Sequence, residues 1–320
     1  MRFFGETKID FIGKRKIAFT ISIIVILAGL VSLIINGGPK YGIDFTGGLS
    51  LELELTPINN QAQKIDVQML RDLLTTAGIE SAEIQAISSS DKTRDLFLIK
   101  TKTAEEGEEK VSTQIVNLIK KEYPNNVDPT TLIRLQEEVG PKIGGELKEK
   151  AILAIFWALL GIILYIWWRF EFTFGLAAVA ALLHDVLITV GIFSLFGKEI
   201  SLSIVAALLT IVGYSLNDTI VVFDRIREDM RVFRKESFHS VFNHSINETL
   251  SRTIITSLTT FVVVLALYLF GGTVIHDFAF ALLVGVIVGT YSSIFVASPL
   301  MVAHFTNRQK RMAKRGRKKR

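Results

Sequence analysis

Apolar residues fall in a few long runs rather than in short alternations. The first covers 17–36; Lys14, Arg15 and Lys16 precede it, and Gly37-Gly38-Pro39 follow it. Five more lie at about 150–168, 174–195, 202–222, 254–270 and 278–303. Each is close to the roughly 17–25 residues that carry a helix across about 30 Å of hydrocarbon. A secretory signal is the competing reading of the first run. Its apolar core would span about 7–15 residues and end at a small-residue cleavage site, whereas this run is longer and ends in Asn36-Gly37-Gly38-Pro39. The pattern predicts six membrane-spanning helices joined by short polar patches. The exception is the basic segment 224–252, read as a loop.

Lys and Arg near the span ends set the orientation. They gather in 1–16, in the 224–252 loop (Arg225, Arg227, Arg231, Arg234, Lys235) and in the acid-free tail 304–320. Six spans put all three segments on one side, which the rule assigns to the cytoplasm. Segment 37–149 then lies outside. Ser50 to Leu55 alternates with period two, as a half-buried strand does. Lys64 to Ala77 and Thr103 to Tyr123 carry apolar stripes at helical spacing. Ile84–Ile87 and Leu96–Ile99 read as strands about a turn at Ser88–Asp91, and Thr131–Leu135 as a last strand. The order βαββαβ predicts a ferredoxin-like α+β domain, helices on one face of an antiparallel sheet. It holds no histidine and reads as a binding or mechanical module, not a catalyst.

Composition narrows the picture. The 320 residues are 49% hydrophobic and 21% charged, with no cysteine. Thiol chemistry and cysteine-ligated metals are excluded, and no spacing predicts another metal site or a cofactor. The basic tail reads as a topology signal attracted to anionic lipid. No aromatic or fold signature accompanies its charge, so nucleic acid is not predicted as a partner.

Ionisable groups inside spans carry the candidate chemistry, because each costs roughly 2.5–3.5 kcal/mol at mid-bilayer on insertion scales. Asp218 lies within the fourth span, and Arg252 stands at the start of the fifth. Antiparallel spans allow the two to face each other. Arg252, Thr256 and Thr259 fall at i, i+4 and i+7, a polar stripe headed by a cation. One reading is a proton site, with Asp218 titrating, Arg252 as switchable counter-ion and the threonine hydroxyls ordering water. The other is a static ion pair that fixes helix packing. His184 and Asp185 in the third span are secondary candidates, with Asn217 and Thr259. Neighbouring residues point in different directions on a helix, so His184 and Asp185 are not expected to pair. Asp224, Arg225, His276 and Asp277 read as interfacial charges. Gly285-x-x-x-Gly289 reads as close helix packing.

Four segments stand in a fixed order: YGIDFTGG at 41–48 (with Tyr41, Gly42, Asp44, Gly47 and Gly48), LLHDV at 182–186, GYSLNDTIVVFDRIRE at 213–228 and LSRTIITSLTT at 250–260. Together they resemble the SecD/SecF family, membrane subunits of the bacterial Sec preprotein translocase within the resistance-nodulation-division (RND) group of transporters. The resemblance implies an RND-type half on the SecF side, in the bacterial inner membrane. SecD would supply the matching half and complete a proton path. Asp218 and Arg252 would match the path, and Thr256 a supporting polar position. Outer domains would bind emerging preprotein and move as protons flow, alongside the SecYEG channel and SecA, with YajC as a further partner. Gly37-Gly38 and Pro141 to Gly145 are candidate hinges. Competing readings are half of an RND small-molecule or lipid exporter, and a non-conducting structural partner of the translocon. Sodium is the alternative coupling ion, although a dehydrated cation wants about six ligands and few oxygens are evident here.

Overall fold

The computed structural model describes residues 7–55, 64–79, 82–87, 95–101, 111–128, 130–169 and 171–317. The chain divides into two compact units: Tyr41–Ile152, and Met1–Lys40 with Leu153–Arg320. Helix α1 (Arg15–Ile35) opens the latter.

The Tyr41–Ile152 unit begins with a single turn, α2 (Ile43–Thr46), followed by β1 (Gly48–Glu54). Then come α3 (Val67–Thr76), β2 (Glu83–Ile87), β3 (Leu96–Thr101), α4 (Val111–Glu122) and β4 (Ile133–Val139). The strands form one antiparallel sheet in the order β2-β3-β1-β4, the order of a split βαβ arrangement. Leu49, Leu51 and Leu53 of β1 point to one face, as the period-two pattern requires. There they meet Leu70 and Leu74 of α3, Ile99 of β3, and Ile115 and Ile119 of α4 in a core closed to solvent. Asp66 caps α3 by accepting a hydrogen bond from the Met69 amide at 2.8 Å. The helix therefore starts at Val67 rather than Lys64.

Two sequence expectations are refined in this unit, and two others fall outside the described residues. The last strand begins at Ile133, not Thr131, and runs on to Val139 because β1 pairs with it as far as Gly48. The segment Pro141 to Gly145, a candidate hinge in the sequence, is helical. It is the first turn of α5 (Pro141–Arg169), where proline is tolerated because its missing N–H would be unbonded anyway. The turn at Ser88–Asp91 and the start of the helix expected from Thr103 lie outside the described residues.

The YGIDFTGG segment is a packing device. Gly47 has φ +73°, a backbone region that glycine enters without steric cost. A Cβ there would sit 2.7 Å from the Pro141 Cα. The glycines thus let the start of β1 lie against the start of α5. Tyr41 stacks edge-on against Phe45, and the Lys148 ammonium sits 4.5 Å from the Tyr41 ring centroid.

The other unit contains the remainder of α5, then α6 (Phe172–Leu195), α7 (Leu202–Val232), α8 (Phe238–Phe270), α9 (Gly272–Ser292) and α10 (Ser298–Arg317). One π-helical turn, Ser293–Ala297, joins α9 to α10. Pro299 has no N–H to donate four residues back, and the Ser298 hydroxyl donates to the Ser293 carbonyl at 2.9 Å. Counting α9, the turn and α10 as one, six helices among the described residues are long and apolar enough to cross a membrane. This is a multi-pass helical membrane protein with an α+β domain. The 224–252 segment is not an open loop: α7 continues to Val232 and α8 starts at Phe238, capped by Ser237. Both helices run past their apolar stretches because salt bridges stabilise the polar turns, Arg225 pairing with Glu228, Asp229 and Glu248.

Helix α6 packs against α1, α7 and α9, and α9 against α6, α7 and α8. Gly29 of α1 and Gly191 of α6 meet backbone to backbone; a Cβ on Gly191 would lie 2.9 Å from the Gly29 Cα. A Cβ on Gly285 of α9 would collide with the Ile211 side chain of α7, and one on Gly289 would lie 3.0 Å from the Ser215 Cβ. Small residues at crossings let backbones approach closely, as expected for spans without a hydrophobic drive between them.

Candidate functional site

Two acids are buried inside the spans, on adjacent helices. Asp218 of α7 is 3% exposed. Its Oδ2 accepts a hydrogen bond from the Ser257 hydroxyl of α8 at 3.3 Å. Ser257 in turn accepts from the Thr290 hydroxyl of α9 at 2.7 Å. The buried hydroxyls of Thr219 and Thr253 have no protein partner among the described residues.

Asp185 of α6 is wholly buried and His184 is 7% exposed. Contrary to the sequence reading, the two neighbours do pair: His184 Nδ1 lies 2.9 Å from Asp185 Oδ1. Both side chains bend into one buried polar pocket. Asp185 Oδ2 accepts hydrogen bonds from Ser215 of α7 at 2.5 Å and from Ser292 of α9 at 2.8 Å. His184 Nε2 reaches Ser22 Oγ of α1 at 2.9 Å. Ser22 contacts the Tyr291 hydroxyl at 3.1 Å, and that hydroxyl donates to the Ala18 carbonyl at 2.7 Å. Four spans therefore meet in one hydrogen-bonded chain.

The expected Asp218–Arg252 pairing does not form. Arg252 is exposed on α8, and no ion pair with Asp218 exists among the described residues. The α8 residue facing Asp218 is Ser257, five positions on. Five residues turn a helix by about 140°, so Arg252 sits on a different face. The Thr256 hydroxyl donates to the Arg252 carbonyl at 3.0 Å and that of Thr259 to Ile255 at 2.9 Å, so both bond their own helix. Asn217 is exposed as well. With Ile255, Leu258, Val262 and Val263 also exposed, α8 offers an open face that mixes apolar residues with Arg252, Thr256 and Thr259.

The interfacial charges form their own pairs. Asp224 accepts a hydrogen bond from Arg169 at 2.7 Å, and Asp277 pairs with Lys198 at 2.5 Å. His276 stacks on Tyr268 with centroids 4.1 Å apart. Asp229, His244 and Glu248 bring possible ligand atoms together, but the Arg225 guanidinium already bonds Asp229 and Glu248. A cation in that place would oppose a metal ion. Sequence reasoning missed Ser22, Ser215, Ser257, Thr290, Tyr291 and Ser292.

Comparisons with known proteins agree with this architecture. Residues 119–307 match the family described as protein export membrane protein SecD/SecF, C-terminal, and residues 32–57 match the SecD/SecF GG motif. The chain is 46% identical over 301 residues to protein translocase subunit SecF of Desulfurispirillum indicum, spanning 92% of this chain and 91% of that protein. The SecF subunit of Thermodesulfovibrio yellowstonii is 44% identical over 303 residues, at 93% and 95% coverage. Among solved structures, the SecDF translocon-associated membrane protein from Thermus superposes with a TM-score of 0.81 at 38% identity. The match covers 94% of this chain but 39% of that one. A SecDF structure in a super-membrane-facing form gives 0.68. The family model over residues 119–307 and relatives at 44–46% identity across more than nine-tenths of each chain show that the chain belongs to the SecD/SecF family.

Proposed function

We propose that this chain is the SecF-side half of a SecDF complex, and that it couples proton flow across the cytoplasmic membrane to the later stages of preprotein translocation. The observation that carries the reading is the buried Asp218, held by a single serine hydroxyl beside an open helix face that bears Arg252, Thr256 and Thr259. A guanidinium facing lipid inside a span is costly. A matching six-span half from SecD would cover that face and bring a partner to Arg252. Asp218 would take and release the proton, Arg252 would serve as a charge that never deprotonates, and the threonines would order water between the halves. One charge crossing 100 mV is worth about 2.3 kcal/mol, enough for a few charges to drive movement of an outer domain. The basic ends 1–16 and 304–320 would face the cytoplasm, leaving the α+β domain in the periplasm to meet emerging preprotein. SecYEG would supply the channel, YajC would accompany the complex, and Asp218 binding a proton rather than sodium fits the sparse oxygen shell around it.

The test uses inverted membrane vesicles holding this chain, SecD and the Sec channel. Completion of preprotein translocation is followed with the proton gradient present and collapsed. Asp218→Asn keeps the shape of the side chain and removes its titration. Loss of the gradient-dependent part with normal assembly is the expected result. Unchanged gradient dependence would overturn the assignment.

A further inference from the structure

We infer that the His184–Asp185 pair is a second proton-binding site in the membrane unit, one that holds a single shared proton and exchanges it when α1, α7 and α9 shift against α6. The inference rests on the proton-driven reading above, and its test is arranged so that either can fail alone.

The directions of the hydrogen bonds count the protons. Tyr291 has one hydroxyl proton and spends it on the Ala18 carbonyl. Ser22 must then donate to Tyr291. With its own proton so used, Ser22 can only accept from His184, so Nε2 carries a hydrogen. On the other side, Asp185 Oδ2 accepts two serine hydroxyls. The remaining contact, Nδ1 to Oδ1 at 2.9 Å, needs one proton between the atoms. That proton sits either on the imidazole, giving imidazolium and carboxylate, or on the carboxyl, giving neutral imidazole and acid. Both states are electrically neutral overall.

Neutrality matters because the pocket supplies no other charge. The groups that face the pair are Ser22 and the Ala18 carbonyl from α1, Ser215 from α7, and Ser292 and Tyr291 from α9. No Lys or Arg bonds it among the described residues. Asp218, three residues beyond Ser215, bonds away from it to Ser257 of α8. If the shared proton leaves to water, two acceptors face each other at hydrogen-bond distance around a buried, unpaired negative charge. That arrangement is unstable in a dry interior. Deprotonation therefore requires the junction to open and admit water, and closure requires the proton to return. The π-helical turn starting at Ser293, directly after Ser292, interrupts the regular helix at that junction; such turns recur at functional sites.

Asp185→Asn is the discriminating variant. Its amide oxygen accepts from Ser215 and Ser292, and its NH2 donates to Nδ1 of neutral His184. The variant copies the proton-loaded pair and cannot release it, so the fold is kept. Proton uptake by the purified complex is titrated across the carboxylate and imidazole ranges for native protein, Asp185→Asn and Asp218→Asn. The same three are then assayed for gradient-dependent translocation. The expected result is the loss of one titrating proton per chain in Asp185→Asn, together with loss of the gradient-dependent translocation. Native titration and native translocation in Asp185→Asn overturn the inference, and a simultaneous loss in Asp218→Asn leaves the proton-driven reading standing. If Asp218→Asn stays gradient-dependent, that reading fails and proton uptake alone judges the second site. Should Asp185→Asn not assemble, infrared difference spectra of the native complex decide. A His184 or Asp185 band that changes with pH supports the site, and its absence overturns it.

Discussion

Gly289→Ala tests whether the polar junction depends on close helix approach. The added methyl would lie 3.0 Å from Ser215 Cβ and 3.3 Å from Ser215 Oγ, the hydroxyl that donates to Asp185 at 2.5 Å. Overpacking of this kind costs typically about 1–3 kcal/mol. Replacing glycine by alanine in a helix also gains about 1 kcal/mol of propensity, so the variant needs a control that keeps this gain. Gly213→Ala provides it, because a Cβ at Gly213, also within α7, meets nothing within 4 Å. The difference between the two variants isolates the packing term at about 1–3 kcal/mol. At 1.4 kcal/mol per factor of ten this is roughly a 5- to 150-fold change in the folded-to-unfolded ratio. Denaturant midpoints of the detergent-purified protein read it directly. Gly289→Ala should unfold at lower denaturant than Gly213→Ala, and Gly213→Ala at or above the native midpoint. Identical midpoints for the two variants would refute the view that α7 and α9 are held in contact through Gly289.

Two further outcomes follow from the structure. Gly47→Ala places a side chain at φ +73° and 2.7 Å from the Pro141 Cα, so it should destabilise the α+β unit by about 1–3 kcal/mol, seen as earlier thermal loss of its circular-dichroism strand signal. Asp10 accepts hydrogen bonds from the Gly13 amide at 2.8 Å and the Asn243 side chain at 2.6 Å, and these hold its carboxyl below the ordinary value. A depressed carboxylate stabilises the fold above the unfolded-state value, about 4, and loses that contribution as pH falls through the lower folded-state value. Protection of the Ile12 amide, bonded to Asn243, should decline over that acidic window after correction for intrinsic exchange, and Asp10→Asn should flatten the dependence.

Much of the fold is legible in the one-dimensional pattern. A backbone in hydrocarbon must bond to itself, so each crossing demands a long uninterrupted apolar run, and six such runs stand out. The strands and helices of the outer domain follow from periods of two and 3.6, since one face of each meets a core and the other meets water. The segment Pro141 to Gly145, read in the sequence as a candidate hinge, is helical because proline suits a first turn. The 224–252 loop became helix ends because Arg225 finds acids one turn away and across to α8.

The site divides along a different line. An aspartate inside an apolar run is conspicuous by its cost, so Asp218 and Asp185 are marked by the chain itself. What each one touches is not. In a span, lipid and protein interior are equally apolar, so hydropathy does not say which face of a helix turns inward. The rotation of α8 places Ser257, not Arg252, against Asp218. The glycine crossings of α1, α6, α7 and α9 bring Ser22, Ser215, Tyr291 and Ser292, far apart in sequence, around the His184–Asp185 pair. The sequence alone determined where the membrane and the buried acids must be; only the packing of helix on helix decided their partners, because those partners are selected by backbone approach and helix rotation, which leave almost no trace in composition or period.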